Sequence, residues 1–405
     1  MSFIGVFYDS YRNTLYHKWI DETGKRRVEK FSPKYEYYIE DKTGKSEIKD
    51  IYGTSVVHQE TDSRDGLKSI VLSGVKCYEH DIPQDLKFLQ KKYGNKKLDV
   101  NIDNFQIAFI DIEVASPKEF PKPEEAKFPI NLITVYFSKQ KQSVTFGNKE
   151  YTGDSDLVKN FVCIPDEKRF LEKFLMILRK QKVDIVTGWN STMFDIPYII
   201  NRCRNLGIDY TKFSTFNIVN KKRNHEEYII AGIAQYDYLE LYKRFRYKNQ
   251  ESYSLNNVAK DELNESKFDY EGTINNAWEK NWNEFVEYNV QDVELVRKFE
   301  DTFRFIELAI TICYQALIPF DSIFSTLPMH VGYILKFLHN KKMVMPARQD
   351  SESEEYPGAY VYATPGMYKN IMSYDVESEY PHMIMQFNIG PETLRKDPKN
   401  TDGLI

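Results

Sequence analysis

Two acidic residues, Asp111 and Glu113, end a run of largely apolar residues that covers positions 105–116. The run is rich in β-branched and aromatic residues and alternates with a period of two, which predicts a β-strand. Alternate side chains share one face of a strand, so both carboxylates would lie on the same face, about 7 Å apart. Acids at the end of a buried strand need a positive partner, and a pair of divalent metal ions is one candidate. The other interpretation is a strand end that simply enters solvent.

A third acid, Asp195, begins a predicted helix directly after the polar loop 190–194, which follows a short buried strand at 184–189. A carboxylate at a helix N-terminus interacts favourably with the helix dipole. Asp195 could therefore serve the helix alone, or it could join Asp111 and Glu113. The local pattern leaves both interpretations open.

Tyr288 and Asp292 lie four positions apart in a predicted helix at 275–305, so they face the same side. Phe285 and Leu295 belong to the same stripe. An ionised aspartate on an apolar stripe needs a cation, and a tyrosine hydroxyl one turn away can hold a water molecule. The alternative is a core tyrosine next to an aspartate at the helix surface.

The elements around these acids alternate between strands and helices, which is typical of an α/β domain. The predicted strands cover 105–116, 130–137, 142–146 and 184–189. The predicted helices cover 167–181, 195–206, 236–246 and 275–305. Residues 1–100 predict a mixed, largely β module, 301–345 predict helices, and 370–388 predict a strand, an acidic turn and the start of a helix.

The composition argues against several classes of protein. The 405 residues carry a formal net charge of −5 at pH 7, so any contact with nucleic acid must come from local patches. The four cysteines form no Cys-x-x-Cys pair, which argues against a structural zinc site and a disulfide framework. We find no signal-peptide pattern and no apolar run long enough to span a bilayer, and we therefore expect a soluble intracellular protein.

The acids form three motifs in order, Asp111-x-Glu113, Asn190-x-x-x-Phe194-Asp195 and Tyr288-x-x-x-Asp292. This order resembles the three exonuclease motifs of the DEDD proofreading nucleases, in the subclass with a tyrosine before the last aspartate. Further segments extend the similarity along the chain: Asp50-Ile-Tyr-Gly53, Ile185-Val-Thr-Gly-Trp-Asn190, Asp237-Tyr-Leu-Glu-Leu-Tyr-Lys243, Tyr356-Pro-Gly-Ala-Tyr-Val361 and Ser373-Tyr-Asp-Val-Glu-Ser-Glu-Tyr-Pro381. On these residues the chain resembles the N-terminal part of a family B DNA polymerase of the T-even bacteriophage type, from its N-terminus to about Arg395.

The resemblance implies an α/β protein with several domains. It implies a β-rich N-terminal domain at 1–100, completed by about 335–370. An RNase H-like 3′–5′ exonuclease domain would cover 101–334, and the start of a polymerase palm would cover 371–405. The implied partner is DNA, as a single-stranded 3′ end and as a primer-template.

The resemblance also assigns expected roles to single residues. Two Mg²⁺ or Mn²⁺ ions would be held by Asp111, Glu113, Asp195 and Asp292. Tyr288 would orient the attacking water molecule. Contacts with DNA would come from Asn190 and Phe194 at the frayed 3′ end, and from Lys221, Lys222 and Arg223 at the tip of a predicted hairpin at 217–235.

The segment 375–382 resembles polymerase motif A. Asp375 would bind the polymerase metal ions, and Tyr380 would contact the incoming nucleotide by stacking under its sugar. Glu379 and His382 replace the Leu and the last Ser of the family motif, which places a charge beside the sugar-facing tyrosine. The fingers motif Lys-x-x-x-Asn-Ser-x-Tyr-Gly and the palm motif Asp-Thr-Asp do not occur in this sequence.

From the missing motifs we expect polymerisation to need a second polypeptide with the fingers, the rest of the palm and the thumb. A sliding clamp would act through that partner. The expected location is the cytoplasm of an infected bacterium, with no membrane partner. Two alternatives stay open at this point: a catalytically silent nucleic-acid-binding remnant or regulator from a truncated polymerase, and a stand-alone repair nuclease.

Overall fold

The computed structural model describes residues 2–116, 120–222, 225–265, 281–347, 360–390 and 393. By compactness the chain divides into two units. The first unit consists of Met1–Pro33 and Gln84–Lys336, and the second consists of Lys34–Pro83 and Phe337–Ile405. No described helix is both long enough and apolar enough to cross a membrane.

The strands are β1 (Ser2–Asp9), β2 (Thr14–Ile20), β3 (Arg26–Phe31), β4 (Tyr35–Glu40), β5 (Lys49–Asp50), β6 (Val56–Thr61), β7 (Cys77–Tyr78), β8 (Ile107–Val114), β9 (Ile130–Phe137), β10 (Gln142–Gly147), β11 (Phe161–Cys163), β12 (Ile185–Thr187), β13 (Val219–Lys221), β14 (Tyr228–Ile230), β15 (Ala234–Gln235) and β16 (Met343–Val344). The helices are α1 (Arg64–Leu72), α2 (Gln84–Tyr93), α3 (Glu167–Lys180), α4 (Asp195–Asn205), α5 (Tyr238–Phe245), α6 (Leu255–Leu263), α7 (Trp282–Phe303), α8 (Phe305–Ala316), α9 (Thr326–Asn340) and α10 (Glu379–Gln386). Short 3₁₀ turns lie at Ile102–Asn104, Tyr210–Phe213 and Phe320–Phe324.

The first unit is built on a six-stranded sheet in the order β11-β10-β9-β8-β12-β15. β8, β9 and β10 are antiparallel neighbours, whereas β12 runs parallel to β8 and β15 runs parallel to β12. The predicted α/β class is confirmed, and the mixed sheet is consistent with an RNase H-like domain. The observed β8 and α4 lie within the predicted ranges and are shorter by a few residues.

The two faces of β8 differ as the two-residue period predicts. Ala108, Ile110 and Ile112 belong to a buried cluster that also contains the apolar stripes of α3 and α4. Fully burying one such aliphatic or aromatic side chain contributes about 1.5–3 kcal/mol. α7 packs against the opposite face, which ends in Asp111 and Glu113. The hydrophobic pattern therefore determines which face of the strand presents the acids.

The hairpins β1–β3 belong to the first unit, whereas strands β4 to β7 belong to the second. An ion-pair cluster links these hairpins to the strand end at Asp184. Lys18 on β2 and Arg26 on β3 both reach the carboxylate of Asp184, with shortest N–O distances of 2.9 and 2.6 Å. The predicted domain bounds themselves remain a proposal.

His17 makes the stability of this unit dependent on pH. The ring is fully buried, with Nδ1 2.9 Å from Glu29 Oε1 and Nε2 2.9 Å from the Tyr93 hydroxyl. Burial lowers the pKa of His17 from 6.5 to about 4, and the charge of Lys92 acts in the same direction. Between these values the unfolded chain binds a proton that the folded chain rejects, so stability falls as the pH is lowered through this range.

We expect His17 to lower the free energy of unfolding by about 2 kcal/mol between pH 7.5 and pH 5 relative to a chain without this ring, since one pKa unit corresponds to about 1.4 kcal/mol. Urea titrations at both pH values measure this difference. The variant His17→Gln removes the titrating group, so its loss over the same range should be clearly smaller. An equal loss in both proteins would show that His17 is not responsible.

The second unit contains a three-stranded sheet in the order β6-β4-β7 and a parallel pair of β5 with β16. Residues 343–344 thus pair with residues 49–50, although the two segments lie far apart in the sequence. Every described residue from 360 to 389 is exposed, and α10 is the only regular element described there. The strand predicted near 370 does not form among these residues, because an isolated strand would leave its backbone groups without partners.

Candidate active site

The first two acids lie where β8 ends. Asp111 and Glu113 are half-buried, and their cross-strand neighbours on β9 are Thr134 and Leu132. Ile112, which lies between them, points to the buried core on the other face. The strand therefore presents two carboxylates at the edge of a packed sheet, as the sequence predicts.

Asp195 meets this strand from the side of α4. It is the first residue of the helix, it is 4% exposed, and its Oδ1 accepts the backbone N–H of Ile112 at 3.0 Å. Burial raises the pKa of Asp195 to about 7, and the negative charges of Asp237 and Asp292 act in the same direction. The structure thus places Asp195 against the peptide that separates the first two acids, within electrostatic reach of a fourth.

α7, which carries Tyr288 and Asp292, contacts the same strand end. Asp292 is 7% exposed, and Tyr288 lies one turn before it on the helix. The amide of Asn289 donates to Asp111 Oδ2 at 2.6 Å, which ties the helix directly to the acid. Sequence reasoning missed Asn289, although its signal was present: it lies four positions after Phe285 on the buried side of the helix.

The loop from Asn190 to Phe194 is held by Asp237, a second residue that sequence reasoning missed. Asp237 accepts hydrogen bonds from the backbone N–H groups of Asn190 and Thr192, both at 3.0 Å, and from the Thr192 hydroxyl at 2.8 Å. Asn190 itself adopts a left-handed conformation, with φ of 65°. The carboxylate therefore sets the shape of the turn that presents Asn190.

Removing this carboxylate should loosen the turn. We expect Asp237→Ala to lower the free energy of unfolding by about 3 kcal/mol, since several donors lose a buried, charged acceptor at once. Chemical denaturation of the full chain measures the change. Asp209→Ala is a matched control, because Asp209 accepts the Thr211 N–H and hydroxyl in the same way but is exposed. Equal losses in the two variants would contradict the proposed importance of the Asp237 clamp.

The aromatic ring predicted to contact DNA lies beside other rings. The Phe194 centroid is 5.7 Å from that of Phe120 and 5.7 Å from that of Tyr198. Phe194 is half-buried and Asn190 is exposed. Both residues are therefore accessible at the same loop, next to the helix that begins with Asp195.

The basic tip lies on the hairpin of β13 and β14. Lys221 pairs with Glu226 at 2.6 Å and Lys222 pairs with Glu227, whereas Arg223 lies outside the described residues. Lys222 also lines a cavity of about 570 Å³ together with Thr192 and Met193 of the 190–194 loop. Exposed ion pairs contribute at most about 1 kcal/mol, so a phosphate could replace either carboxylate at little cost.

Asp375 and Tyr380 lie in the second unit. Both are exposed, and Tyr380 is part of α10. Across the described parts of the chain, no group of three or more His, Cys, Asp and Glu side chains is arranged to hold a metal ion. This holds for Asp375 in the second unit. It also holds for the acids on β8, α4 and α7 in the first unit.

The chain was compared with known proteins. Residues 77–258 match the family model of the DNA polymerase family B exonuclease domain, and residues 329–404 match that of DNA polymerase family B. The first match includes the motifs at 111–113 and 190–195, whereas Tyr288 and Asp292 lie beyond it.

Two curated relatives are 30% identical to the chain: the DNA-directed DNA polymerase of Escherichia phage RB69, over 94% of this chain, and that of Enterobacteria phage T4, over 95%. A DNA polymerase delta catalytic subunit of Dictyostelium discoideum is 28% identical over 72% of this chain and 28% of its own length. The matched region is 46% of each phage protein, so the chain spans about half the length of these relatives. The two family models and the phage relatives, together with the sheet that carries the acidic motifs, establish that this chain belongs to family B of the DNA polymerases and carries the exonuclease domain of that family.

Proposed function

We propose that this chain removes nucleotides from the single-stranded 3′ end of DNA by metal-assisted 3′–5′ hydrolysis of the terminal phosphodiester. The observation that carries the proposal is the convergence of three elements on one strand end. Asp195 of α4 accepts the N–H of Ile112, and Asn289 of α7 donates to Asp111. Asp195 and the helix that carries Asp292 thus both contact the end of β8 that carries Asp111 and Glu113.

The donor chemistry of the site fits divalent ions. Asp111, Glu113, Asp195 and Asp292 would hold two Mg²⁺ or Mn²⁺ ions, since both metals prefer carboxylate oxygens. The charges of Asp237 and Asp292 oppose ionisation of the buried Asp195, and a cation would offset this repulsion. When bound, the ions would supply Lewis acidity and a hydroxide nucleophile at neutral pH.

The remaining residues would bind and orient the substrate. The Tyr288 hydroxyl would accept a hydrogen bond from the attacking water molecule or donate one to it. Phe194, beside Phe120, offers a ring on which the last base can stack, an interaction of about 1–3 kcal/mol per base. Asn190 would hydrogen-bond the same nucleotide. Lys221 and Lys222 would contact phosphates of the strand as it leaves the site.

The test is a degradation assay with the full chain. A single-stranded oligonucleotide with a 5′ label should give a ladder of products shortened from the 3′ end in Mg²⁺, and EDTA should abolish the ladder. An oligonucleotide whose 3′-terminal linkage is a phosphorothioate should be degraded more slowly. Salt-dependent binding without any shortening would support the silent nucleic-acid-binding alternative instead.

A role for Asp375 and Tyr380 in a polymerase site is a separate proposal. Asp375 would be a ligand of the polymerase metal ions, and Tyr380 would contact the sugar of the incoming nucleotide. The segment around them exposes large apolar side chains, among them Tyr374, Val376, Met383 and Phe387. Such a patch is typical of a surface that another part of a protein covers. A second polypeptide with the fingers, the rest of the palm and the thumb, a clamp bound through it, and a location in the host cytoplasm remain predictions.

A further inference from the structure

A row of buried polar side chains runs from Asp111 across the sheet. Thr134 on β9 is the register partner of Asp111, and Thr145 on β10 is the register partner of Thr134. Asn289 of α7 lies over this row. Asn289 and Thr134 are 0% exposed and Thr145 is 2% exposed, so each polar group must find its partners inside the protein.

The row forms a chain of hydrogen bonds. The hydroxyls of Thr145 and Thr134 lie 3.0 Å apart, the Thr134 hydroxyl donates to Oδ1 of Asn289, and Nδ2 of Asn289 donates to Oδ2 of Asp111 at 2.6 Å. An asparagine amide has one accepting end and one donating end. Because the Asp111 carboxylate can only accept, the donating end of the amide faces Asp111, and the accepting end faces the Thr134 hydroxyl.

The alternative orientation of the amide is unfavourable. A flipped Asn289 would direct its carbonyl oxygen at the Asp111 carboxylate and its NH₂ group at the Thr134 hydroxyl. The first contact is repulsive, whereas in the second Thr134 could still donate its proton to the Thr145 hydroxyl, 3.0 Å away. The Asp111 carboxylate therefore selects the donating end of the amide, and the Thr134 hydroxyl holds the accepting end.

We propose that Asn289 is a positioning residue that orients Asp111 for metal binding, and that Thr134 acts through Asn289 by fixing its amide. This inference rests on the proposed exonuclease function, which makes Asp111 a metal ligand. A partner that holds a metal ligand typically contributes 10–100-fold to metal affinity or activity. Asn289 also lies beside Tyr288 and three positions before Asp292, so the same hydrogen bond fixes the helix that carries both.

The experiment measures Mn²⁺ affinity by electron paramagnetic resonance on the full chain, together with kcat and KM for a single-stranded oligonucleotide. The variants are Asn289→Leu, which keeps the size of the side chain but not its hydrogen bonds, and Thr134→Val, which removes only the hydroxyl. Both should weaken Mn²⁺ binding about 10–100-fold and lower kcat, with KM for DNA nearly unchanged. Thr145→Val is the matched control, one strand further away and equally buried, and its affinity should change less than about threefold, because Thr134 keeps its proton for Asn289.

Wild-type Mn²⁺ affinity in folded Asn289→Leu and Thr134→Val would overturn the inference. If Asn289→Leu does not fold, judged by its unfolding transition, Thr134→Val carries the test. Failure of the proposed exonuclease function would give a different experimental result from failure of the positioning role. A wild-type chain that binds Mn²⁺ but leaves DNA intact refutes the exonuclease, whereas weaker Mn²⁺ binding by the variants would still support positioning. A wild-type chain that binds no Mn²⁺ overturns both proposals.

Discussion

The double variant Asp111→Asn, Glu113→Gln should lose at least about 10³-fold in the rate of 3′ shortening. Both substitutions keep the size of the side chains and remove the charges that would hold the metal ions. A bound metal ion stabilises the transition state by several kcal/mol, and about 4 kcal/mol corresponds to 10³-fold in rate. Single-turnover degradation of a 5′-labelled oligonucleotide in Mg²⁺ measures the loss.

The control variant must remove the same negative charge from positions away from the end of β8. Asp156 and Glu172 are exposed residues of the same unit, so Asp156→Asn, Glu172→Gln changes the net charge equally without touching the strand end. Its rate should stay within a factor of about two of the wild type, since exposed charges contribute little. If the control and the site variant lose activity alike, the acids of β8 do not carry the reaction. If neither loses activity, the proposed metal ligands are wrong.

Asp184→Ala should lower the free energy of unfolding by about 3–5 kcal/mol, the usual effect of removing one partner from a buried ion pair. Asp184 is 1% exposed and accepts Lys18 at 2.9 Å, both terminal nitrogens of Arg26, and the Gln106 N–H at 2.8 Å. Without it, the buried Lys18 and the partly exposed Arg26 would lose the carboxylate that they share.

The pKa of Asp184 supports this expectation. Burial alone would raise it, but the charges of Lys18 and Arg26 outweigh burial and hold the pKa below its ordinary value. For a carboxyl group with a lowered pKa, the stabilisation is present above the ordinary pKa and is lost as the pH falls through the lower, folded value. The contribution is therefore complete at neutral pH, where the measurement is made.

Urea unfolding at pH 7 measures the change, with Asp99→Ala as the control. Asp99 pairs with Lys97 at 3.6 Å, and both side chains are largely exposed, so its loss should be below about 1 kcal/mol. A similarly small loss for Asp184→Ala would contradict the view that this cluster attaches the hairpins to the sheet.

Much of the architecture around the site follows from local pattern. The two-residue period of 105–116 predicts β8 and the face on which Asp111 and Glu113 lie, and the polar loop before Asp195 predicts the start of α4. Both elements are confirmed, because hydrophobic periodicity and helix-start signals act within one turn or one strand. The resemblance to family B is confirmed as well, whereas the roles of the single acids remain a proposal.

Local pattern was less informative near residue 370. The sequence predicts a strand there, but the described residues 360–389 contain no strand and are exposed. Strands depend on partners that lie elsewhere in a chain, so propensity cannot decide whether one forms. The same limit applies to the hairpins β1–β3, because the contact between Arg26 and Asp184 joins residues 158 positions apart.

The sequence by itself determined the identity, order and spacing of the acids, the strand and helices that carry them, and the family. These properties depend on residues a few positions apart. Only the tertiary structure decided that Asp195 would contact the peptide between the two acids of β8, that Asp237 would hold the 190–194 turn, and that Asn289 would meet Asp111 across 178 positions. Such contacts form when buried polar groups must find partners in the packed interior, and no period or motif in the sequence encodes that requirement.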